Sequence, residues 1–251
     1  MRNVVEKETQ KLAAQETRLL CHKARENQIK AKLYDKVPDR LRKTLEGAFE
    51  KAFEVVFVNG TGVIEKTFCK EDLTLDFEAA DYVLQRKATR KNMKRVDQSA
   101  RKSNAINSVL TTAAGAGLGA LGAGLPDIPL LVGTMLKGLY QIALSYGISY
   151  ESEEEKIYIL RLIRLALCAE ELRAEYNREL DSREYGGVRL ADEITETARV
   201  LSEAVLVEKF VQGIPLIGAV GAITNHLVYR KISVLAVLKY KQRYLHTQKL
   251  K

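Results

Sequence analysis

The stretch from Ser103 to Leu136 limits the possible folds more than any other part of the chain, because Asp127 is its single formal charge. It contains the motif Pro126-Asp127-Ile128-Pro129. Proline lacks an amide donor and restricts the residue before it, so a continuous helix cannot pass through this motif. The sequence therefore predicts two apolar helices between residues 104 and 146. They are joined by a tight turn with Asp127 at its apex, and the second helix resumes at Leu130.

Glycine is concentrated in the first of these helices, where Ala113 to Gly124 holds five glycines. Each glycine inside a helix costs about 1 kcal/mol relative to alanine, so close packing has to compensate for them. Gly115 and Gly119 have the four-residue spacing that lets helix backbones approach closely in apolar surroundings. We expect both glycines to lie at helix crossings.

A second stretch without formal charge covers the 20 residues from Phe210 to Tyr229. Its Ile214-Pro215-Leu216 sequence resembles Ile128-Pro129-Leu130, and each copy comes after a glycine and starts an apolar helix. An amphipathic helix carrying Glu196, Arg199 and Glu203 on its polar face precedes it. The pattern predicts a second hairpin, with Gly218 at a helix crossing.

The remaining patterns are also helical, and together they predict an all-α fold. We expect one domain, 1–251, of about eight helices, with a charged helical part at 1–75 and a core with both hairpins at 76–251. The further expected elements before the first hairpin are a solvent-facing helix from Val4 to Leu33, a helix from Asp39 to Val58 with Leu45, Phe49, Phe53 and Val56 at helical spacing and a stop at Asn59-Gly60-Thr61-Gly62, and a helix from an Asp76 cap to about Arg95. Between the hairpins we expect a helix whose N-terminus holds the acids of Glu151 to Glu155, with a polar stripe of Arg161, Arg164, Glu171 and Glu175 that runs to about Glu179, and then a loop from Asp181 to Val188.

The net charge of +8 favours polyanionic partners such as nucleic acid or anionic lipid. The distribution of the basic residues along the chain decides between these two. Residues 86–102 hold eight basic residues and one acid, with only Tyr82 nearby to stack on a base. This run directly precedes the apolar stretch, as a juxtamembrane basic cluster does, so it favours anionic lipid over nucleic acid. A solvated helix face is the competing interpretation. The membrane-surface patch predicted here consists of Arg86, Lys87, Arg90, Lys91, Lys94 and Arg95.

The cysteines and histidines suggest neither a metal nor a cofactor. Cys21, Cys69 and Cys168 are odd in number and widely spaced, which favours a reducing compartment over a disulfide framework. The three histidines lack metal-ligand spacing, and no phosphate loop or nucleophile elbow is present. The charged N-terminus lacks a secretory pattern, so we expect a cytoplasmic protein that is peripheral to, or partly inserted in, the inner face of the cell membrane.

Asp127 is the candidate catalytic residue, because a desolvated carboxylate can act as an acid or base. The simpler interpretation is that it caps the following helix. If the two hairpins pack side by side, Asn225 and His226 approach it and form a shared polar site. The predicted groove for a lipid or other apolar ligand is lined by Gly115, Gly119, Asp127, Pro129, Pro215, Gly218, Asn225 and His226.

The C-terminal half resembles a known family. The run from Gly213 to Asn225, followed by Ala236, Tyr240, Arg243 and Leu245, is similar to the C-terminal signature of the EcsC family. The Asp127-Ile128-Pro129 element and the glycine-rich stretch resemble the middle of that family, so the resemblance spans roughly Ala88 to Leu245. The founding member is encoded beside an ABC exporter. The resemblance implies a link to membrane transport, and it implies no catalytic residue.

Several functions remain open on the sequence alone. The leading expectation is a non-catalytic accessory protein that interacts with an anionic membrane or lipid, linked to a transport complex or an envelope process. The apolar arms are shorter than the ~20 residues needed to span a bilayer, so they fit a soluble core or a surface-inserted pair. The alternatives are an enzyme acting on a lipid-like substrate through Asp127, a protein-binding scaffold, and a glycine-rich membrane-inserting or pore-forming protein.

Overall fold

The regular secondary structure in the described part of the chain is all helical. The computed structural model describes residues 2–21, 37–57, 61–98, 100, 127–211 and 222–250, and within these ranges it describes all side chains except those at 2, 127, 208–211, 222–226 and 250. The helices are α1 (Arg2–Leu20), α2 (Asp39–Val55), α3 (Thr61–Glu65), α4 (Lys70–Arg86), α5 (90–98), α6 (Asp127–Leu144), α7 (Glu153–Leu167), α8 (Arg173–Ser182), α9 (Leu190–Val211) and α10 (Ala222–Leu250), with a 3-10 turn at Glu170–Leu172. The predicted all-α single domain is confirmed.

The 29-residue helix α10 is the centre of the fold. Helices α1, α6, α7 and α9 all pack against it, so it is buried on several faces rather than on one apolar stripe. Val228, Ile232 and Ala236 lie in the core near its start, and Tyr240 and Leu245 lie in the core near its end. Polar residues that share these later turns are therefore buried too, and they need partners from the surrounding helices.

Helix α2 follows the sequence prediction. Leu45, Phe49, Phe53 and Val56 are all buried, and the helix packs against α9 and α6. The predicted stop at residues 59–62 is only partly right. The chain is helical again from Thr61, so Gly62 lies inside the short helix α3 rather than in a turn. Burial of Ile64 in the core and a hydrogen bond from the Thr61 hydroxyl to the Val56 carbonyl oxygen (3.2 Å) hold this helix in place.

The predicted helix from Asp76 to Arg95 is wrong in its bounds. Asp76 lies inside α4, which begins at Lys70 with two acids in its first turn, where the helix dipole favours them. Residues 87–89 then break the helix before α5. The Thr89 hydroxyl accepts a hydrogen bond from the Asn92 amide (3.2 Å), and the Asn92 side chain donates to the Lys87 carbonyl oxygen (2.6 Å). The first of these bonds makes Thr89 the cap of a new helix, and the second joins that helix to the residues before it.

Helix α6 begins at Asp127, three residues before the predicted start at Leu130. Pro129 is therefore inside its first turn. Proline is tolerated there because the first amides of a helix have no partner within the helix. Residues 101–126 lie outside the described part, so the first arm of this hairpin stays a prediction.

Helix α7 begins as predicted, and its predicted polar stripe is wrong. The Ser152 hydroxyl accepts a hydrogen bond from the Glu155 amide (3.2 Å), and three acids occupy the first turn. Arg161 and Arg164 are buried instead of solvent-facing, because the chain turns after Leu167 and brings α8 and α9 over them. They form ion pairs with Glu179 and Glu193. The other two residues of the expected stripe, Glu171 and Glu175, are exposed beyond the turn.

Helix α1 differs from the expected solvent-facing helix. Its mostly polar sequence leaves much of it exposed, but Val5 and Leu12 are buried where α1 packs along α10. The predicted continuation to Leu33 lies in residues 22–36, outside the described part. Within the described residues, no helix is both long enough and apolar enough to cross a bilayer.

The predicted helix before the second hairpin is confirmed as α9. Arg199 bonds Glu196 (2.8 Å) and lies 3.8 Å from Glu203, so the three form the expected polar face. The hairpin itself lies mostly in residues 212–221, outside the described part. The predicted loop after Asp181 begins at Arg183, since α8 continues to Ser182.

Two glycines with positive φ provide a matched test of the packing between α4 and the end of α6. Gly147 (φ +70°) would place a Cβ 2.2 Å from Phe77, whereas Gly187 (φ +76°) has nothing within 4 Å. Both Gly→Ala variants incur the left-handed backbone cost of roughly 1–2 kcal/mol. We expect Gly147→Ala to cost about 1–3 kcal/mol more, because Phe77 has to move. Urea unfolding of the two variants measures the difference, and equal losses would show that Phe77 does not pack there.

Candidate functional site

The residues of the predicted ligand groove lie largely outside the described part of the chain. This holds for Gly115, Gly119, Pro215 and Gly218. Asp127 is the first residue of α6, and Asn225 and His226 are the fourth and fifth residues of α10, but none of their side chains is described. Pro129 is in the first turn of α6. Their convergence around one pocket, and a catalytic or capping role for Asp127, therefore stay predictions.

The six residues of the predicted basic patch are all exposed. Arg86 ends α4 and its guanidinium lies 5.3 Å from the ring centroid of Tyr82. Arg90, Lys91 and Lys94 belong to α5 and line a groove. The patch is thus divided between the end of one helix and the start of the next.

This groove, called here the α1 groove, runs along one face of α1. Its lining residues on α1 recur every three or four positions from Asn3 to Leu19, as they must on a single helical face. At 1.5 Å per residue this face is about 24 Å long. The groove has two parts with different opposite walls, and both parts include Glu8, Lys11 and Asp97.

The first part, the basic half, lies between α1 and α5 and has a volume of about 1370 Å³. Five cationic residues line it: Lys7, Lys11, Arg90, Lys91 and Lys94. Within the described part of the chain, Lys11 pairs with Glu8 (3.5 Å), and the other four have no acidic partner. Their charge therefore faces the groove without local compensation.

The two acids of the basic half are held by one buried lysine. Lys241 on α10 donates to Glu8 (2.6 Å) and to Asp97 (2.7 Å), and Tyr146 donates to the other oxygen of Asp97 (3.3 Å). Burial raises the pKa of Glu8, but the hydrogen bond and charge of Lys241 outweigh it and lower that pKa overall. Both carboxylates are thus occupied by Lys241, and the groove keeps its positive character.

The second part, the apolar half, lies between α1 and α10 and has a volume of about 520 Å³. Leu12 and Leu238 are buried at its base. Leu19 and Val234 remain 40% and 42% exposed on its walls. Large apolar side chains at this exposure are few in the described residues, and two of them line this half of the groove. Lys11 joins this half to the basic half.

A second buried lysine anchors the far end of α1. Lys239 is 1% exposed and bonds Glu16 of α1 and Asp181 of α8 (2.7 Å to Asp181). It lies beside a cavity of about 340 Å³ between α1, α8 and α10. Burial raises the pKa of Glu16, and the bonds from Lys239 and Gln242 outweigh that effect and lower it. Because both carboxylates serve the same ammonium group, this cluster holds α1 in place.

A third cluster joins α10 to α7. Arg243 donates two hydrogen bonds to Glu155 (2.8 and 2.7 Å), and the Tyr240 hydroxyl donates to the same carboxylate (2.7 Å). Tyr240 and Arg243 are two residues of the C-terminal motif noted in the sequence. Their position gives them a structural role, since they satisfy a carboxylate that would otherwise be buried unpaired.

Sequence reasoning missed Lys239, Lys241, Glu155 and Asp97. The available signal was the cluster of charges at 239, 241 and 243 in a helix that carries apolar residues on every face. As for metals, the described residues contain no group of three His, Cys, Asp or Glu side chains arranged to hold an ion.

No curated protein and no solved structure matches the chain. The sequence model of the EcsC protein family matches residues 3–245, so the match extends well before Ala88 and includes α1 and the whole groove. Since this covers nearly the entire chain, the protein belongs to the EcsC protein family.

Proposed function

We propose that the protein is a non-catalytic accessory protein that binds the anionic inner face of the cell membrane through the basic half of the α1 groove. The observation that carries the proposal is the convergence of Lys7 and Lys11 from α1 with Arg90, Lys91 and Lys94 from α5. Four of these five have no acidic partner among the described residues. Each basic residue held near anionic headgroups contributes about 1 kcal/mol.

The sequence next to this groove supports a membrane rather than a nucleic acid. Residue 100 is followed by the apolar stretch from Ser103 to Leu136, so a basic surface and an apolar segment adjoin along the chain. This order is typical of segments that place cations on headgroups and apolar residues in the interface. The proposal also includes a link to a transport complex or an envelope process, which rests on what the sequence resemblance implies.

The proposal is tested with vesicles of phosphatidylcholine alone and of phosphatidylcholine mixed with phosphatidylserine. The triple variant Lys7→Gln, Lys91→Gln, Lys94→Gln should bind the mixed vesicles about a hundredfold more weakly, since it loses about 3 kcal/mol. The matched control is Lys43→Gln, Lys51→Gln, Lys66→Gln, which removes the same charge from exposed sites outside the groove. Sedimentation with the vesicles measures both affinities.

Salt dependence separates this surface from other outcomes. Binding should weaken steeply as salt rises, because surface attractions are screened over about 8 Å at physiological ionic strength. Equal losses in the groove variant and the control would show that only net charge matters. Binding to duplex DNA without binding to mixed vesicles would contradict the membrane proposal and favour nucleic acid. If the protein binds neither mixed vesicles nor duplex DNA, the basic patch is only a solvated helix face.

A further inference from the structure

The two halves of the α1 groove form one continuous site with chemically different ends. Lys11 and the Glu8–Lys241–Asp97 cluster lie at the junction, with uncompensated cations on one side and apolar side chains on the other. A ligand that follows α1 therefore meets cationic groups first and an apolar slot next. This order of cationic and apolar surfaces fits an anionic amphiphile, whose charged end would meet the cationic groups and whose apolar end would lie in the slot.

The size of the apolar half favours an acyl chain over a partner helix. Its volume of about 520 Å³ is within the range of about 300–1,000 Å³ that small-molecule sites have. A helix with its side chains is about 10–12 Å across, and a stable protein interface buries about 800 Å² on each partner. Leu19 and Val234 offer exposed apolar surface for a slender ligand, whereas Leu12 and Leu238 in the same half of the groove are buried.

The walls of the apolar half also fit such a ligand. Arg18 lies on its rim with Lys11, and the long stems of such side chains cover apolar surface while their charged ends stay in water. Leu12 and Leu238 close the base. An acyl chain placed there would be covered by Leu19 and Val234, and its phosphate would reach the cations beyond Lys11.

We propose that the α1 groove holds one anionic phospholipid, with an acyl chain in the apolar half and the phosphate among Lys7, Lys11 and Lys94. The inference rests on the proposed membrane function and deepens it, because it assigns a single-lipid site to a protein otherwise attracted to the surface as a whole.

The test uses dihexanoyl phosphatidylserine below its micelle concentration, measured by titration calorimetry. The double variant Leu19→Gln, Val234→Thr should bind this lipid about tenfold more weakly, since it removes apolar contact from the slot. The matched control is Leu75→Gln, Val63→Thr, which makes the same changes at exposed positions outside the groove. The control should bind like the unaltered protein. Thermal unfolding checks that all the proteins remain folded.

Glycerophosphoserine, which lacks acyl chains, distinguishes a phosphate site from a lipid site and should bind much more weakly than the lipid. Equal affinity for the two compounds, or unchanged lipid binding by the Leu19→Gln, Val234→Thr variant, would overturn the single-lipid site. Failure of the unaltered protein to bind the monomeric lipid would overturn it too. Sedimentation with mixed vesicles at different salt concentrations tests the surface proposal separately. The Leu19→Gln, Val234→Thr variant keeps every cation of the basic half, so it should still bind these vesicles.

Discussion

Replacing Glu155 with alanine is expected to destabilise the fold by about 3–5 kcal/mol, because it breaks a buried ion pair from one side. The carboxylate is 5% exposed and accepts hydrogen bonds from Arg243 and Tyr240. When the Glu155 carboxylate is removed, the Arg243 guanidinium group still contacts an aromatic ring, since it lies 4.2 Å from the ring centroid of Tyr158. That contact is worth only about 0.5–2 kcal/mol and cannot replace the charge partner.

The adjacent residue supplies the control for this prediction. Glu154 lies in the same first turn of α7 but is exposed. Glu154→Ala removes a favourable interaction with the helix dipole, so it should cost about 0.3–1 kcal/mol. Urea unfolding measures both. Adding Arg243→Met to Glu155→Ala should recover part of the loss, because the unpaired charge is removed. If Glu155→Ala costs no more than Glu154→Ala, the buried cluster does not exist as described.

Replacing Lys241 with methionine should also cost about 3–5 kcal/mol, for the same physical reason at a different place. Lys241 is the shared partner of Glu8 on α1 and Asp97 on α5, and its removal leaves the buried Asp97 carboxylate without a cation. Methionine fills nearly the same volume, so a packing defect is not the main loss. Thermal or urea unfolding of the variant measures the effect.

Two further variants make the Lys241 result specific. Lys241→Met combined with Asp97→Asn should be more stable than Lys241→Met alone, since the amide carries no charge to compensate. Lys249→Met removes an exposed lysine from the same helix and should change stability by less than about 0.5 kcal/mol. A Lys241→Met protein that is as stable as Lys249→Met would show that α1 and α5 are joined to α10 by other contacts.

Helical periodicity predicted elements where one face meets the core. In α2 the spacing of Leu45, Phe49 and Phe53 identified both the helix and its buried side. The method failed where short polar bonds decide the outcome, as at residues 87–89, since the Thr89 cap interrupts a sequence that otherwise favours helix throughout. The local pattern predicts a polar stripe at Arg161 and Arg164, and it misses their burial because their partners, Glu179 and Glu193, come from helices that it does not place.

The candidate site could be predicted only in part, because the sequence shows local runs of charge but does not show which distant helices pack together. The charge run identified Arg90, Lys91 and Lys94 as surface cations, because a local excess of charge is visible in sequence. Their partners in the groove, Lys7 and Lys11, lie about eighty positions earlier. Lys239 and Lys241 resemble surface lysines in composition and spacing, and only the packing of α1, α5 and α8 around α10 makes them buried.

The positions of the two buried lysines in the sequence also determine when helix α1 can pack against helix α10 during folding. The Lys239–Glu16 and Lys241–Glu8 pairs join residues 223 and 233 positions apart. Contacts between such distant residues are slow to form, because a long loop has to close before they contribute. During synthesis Glu8 and Glu16 cannot meet their lysines on α10 until the ribosome has released α10. Helix α1 is therefore among the first elements made and among the last to reach its native place, and until then the groove beside it has no wall.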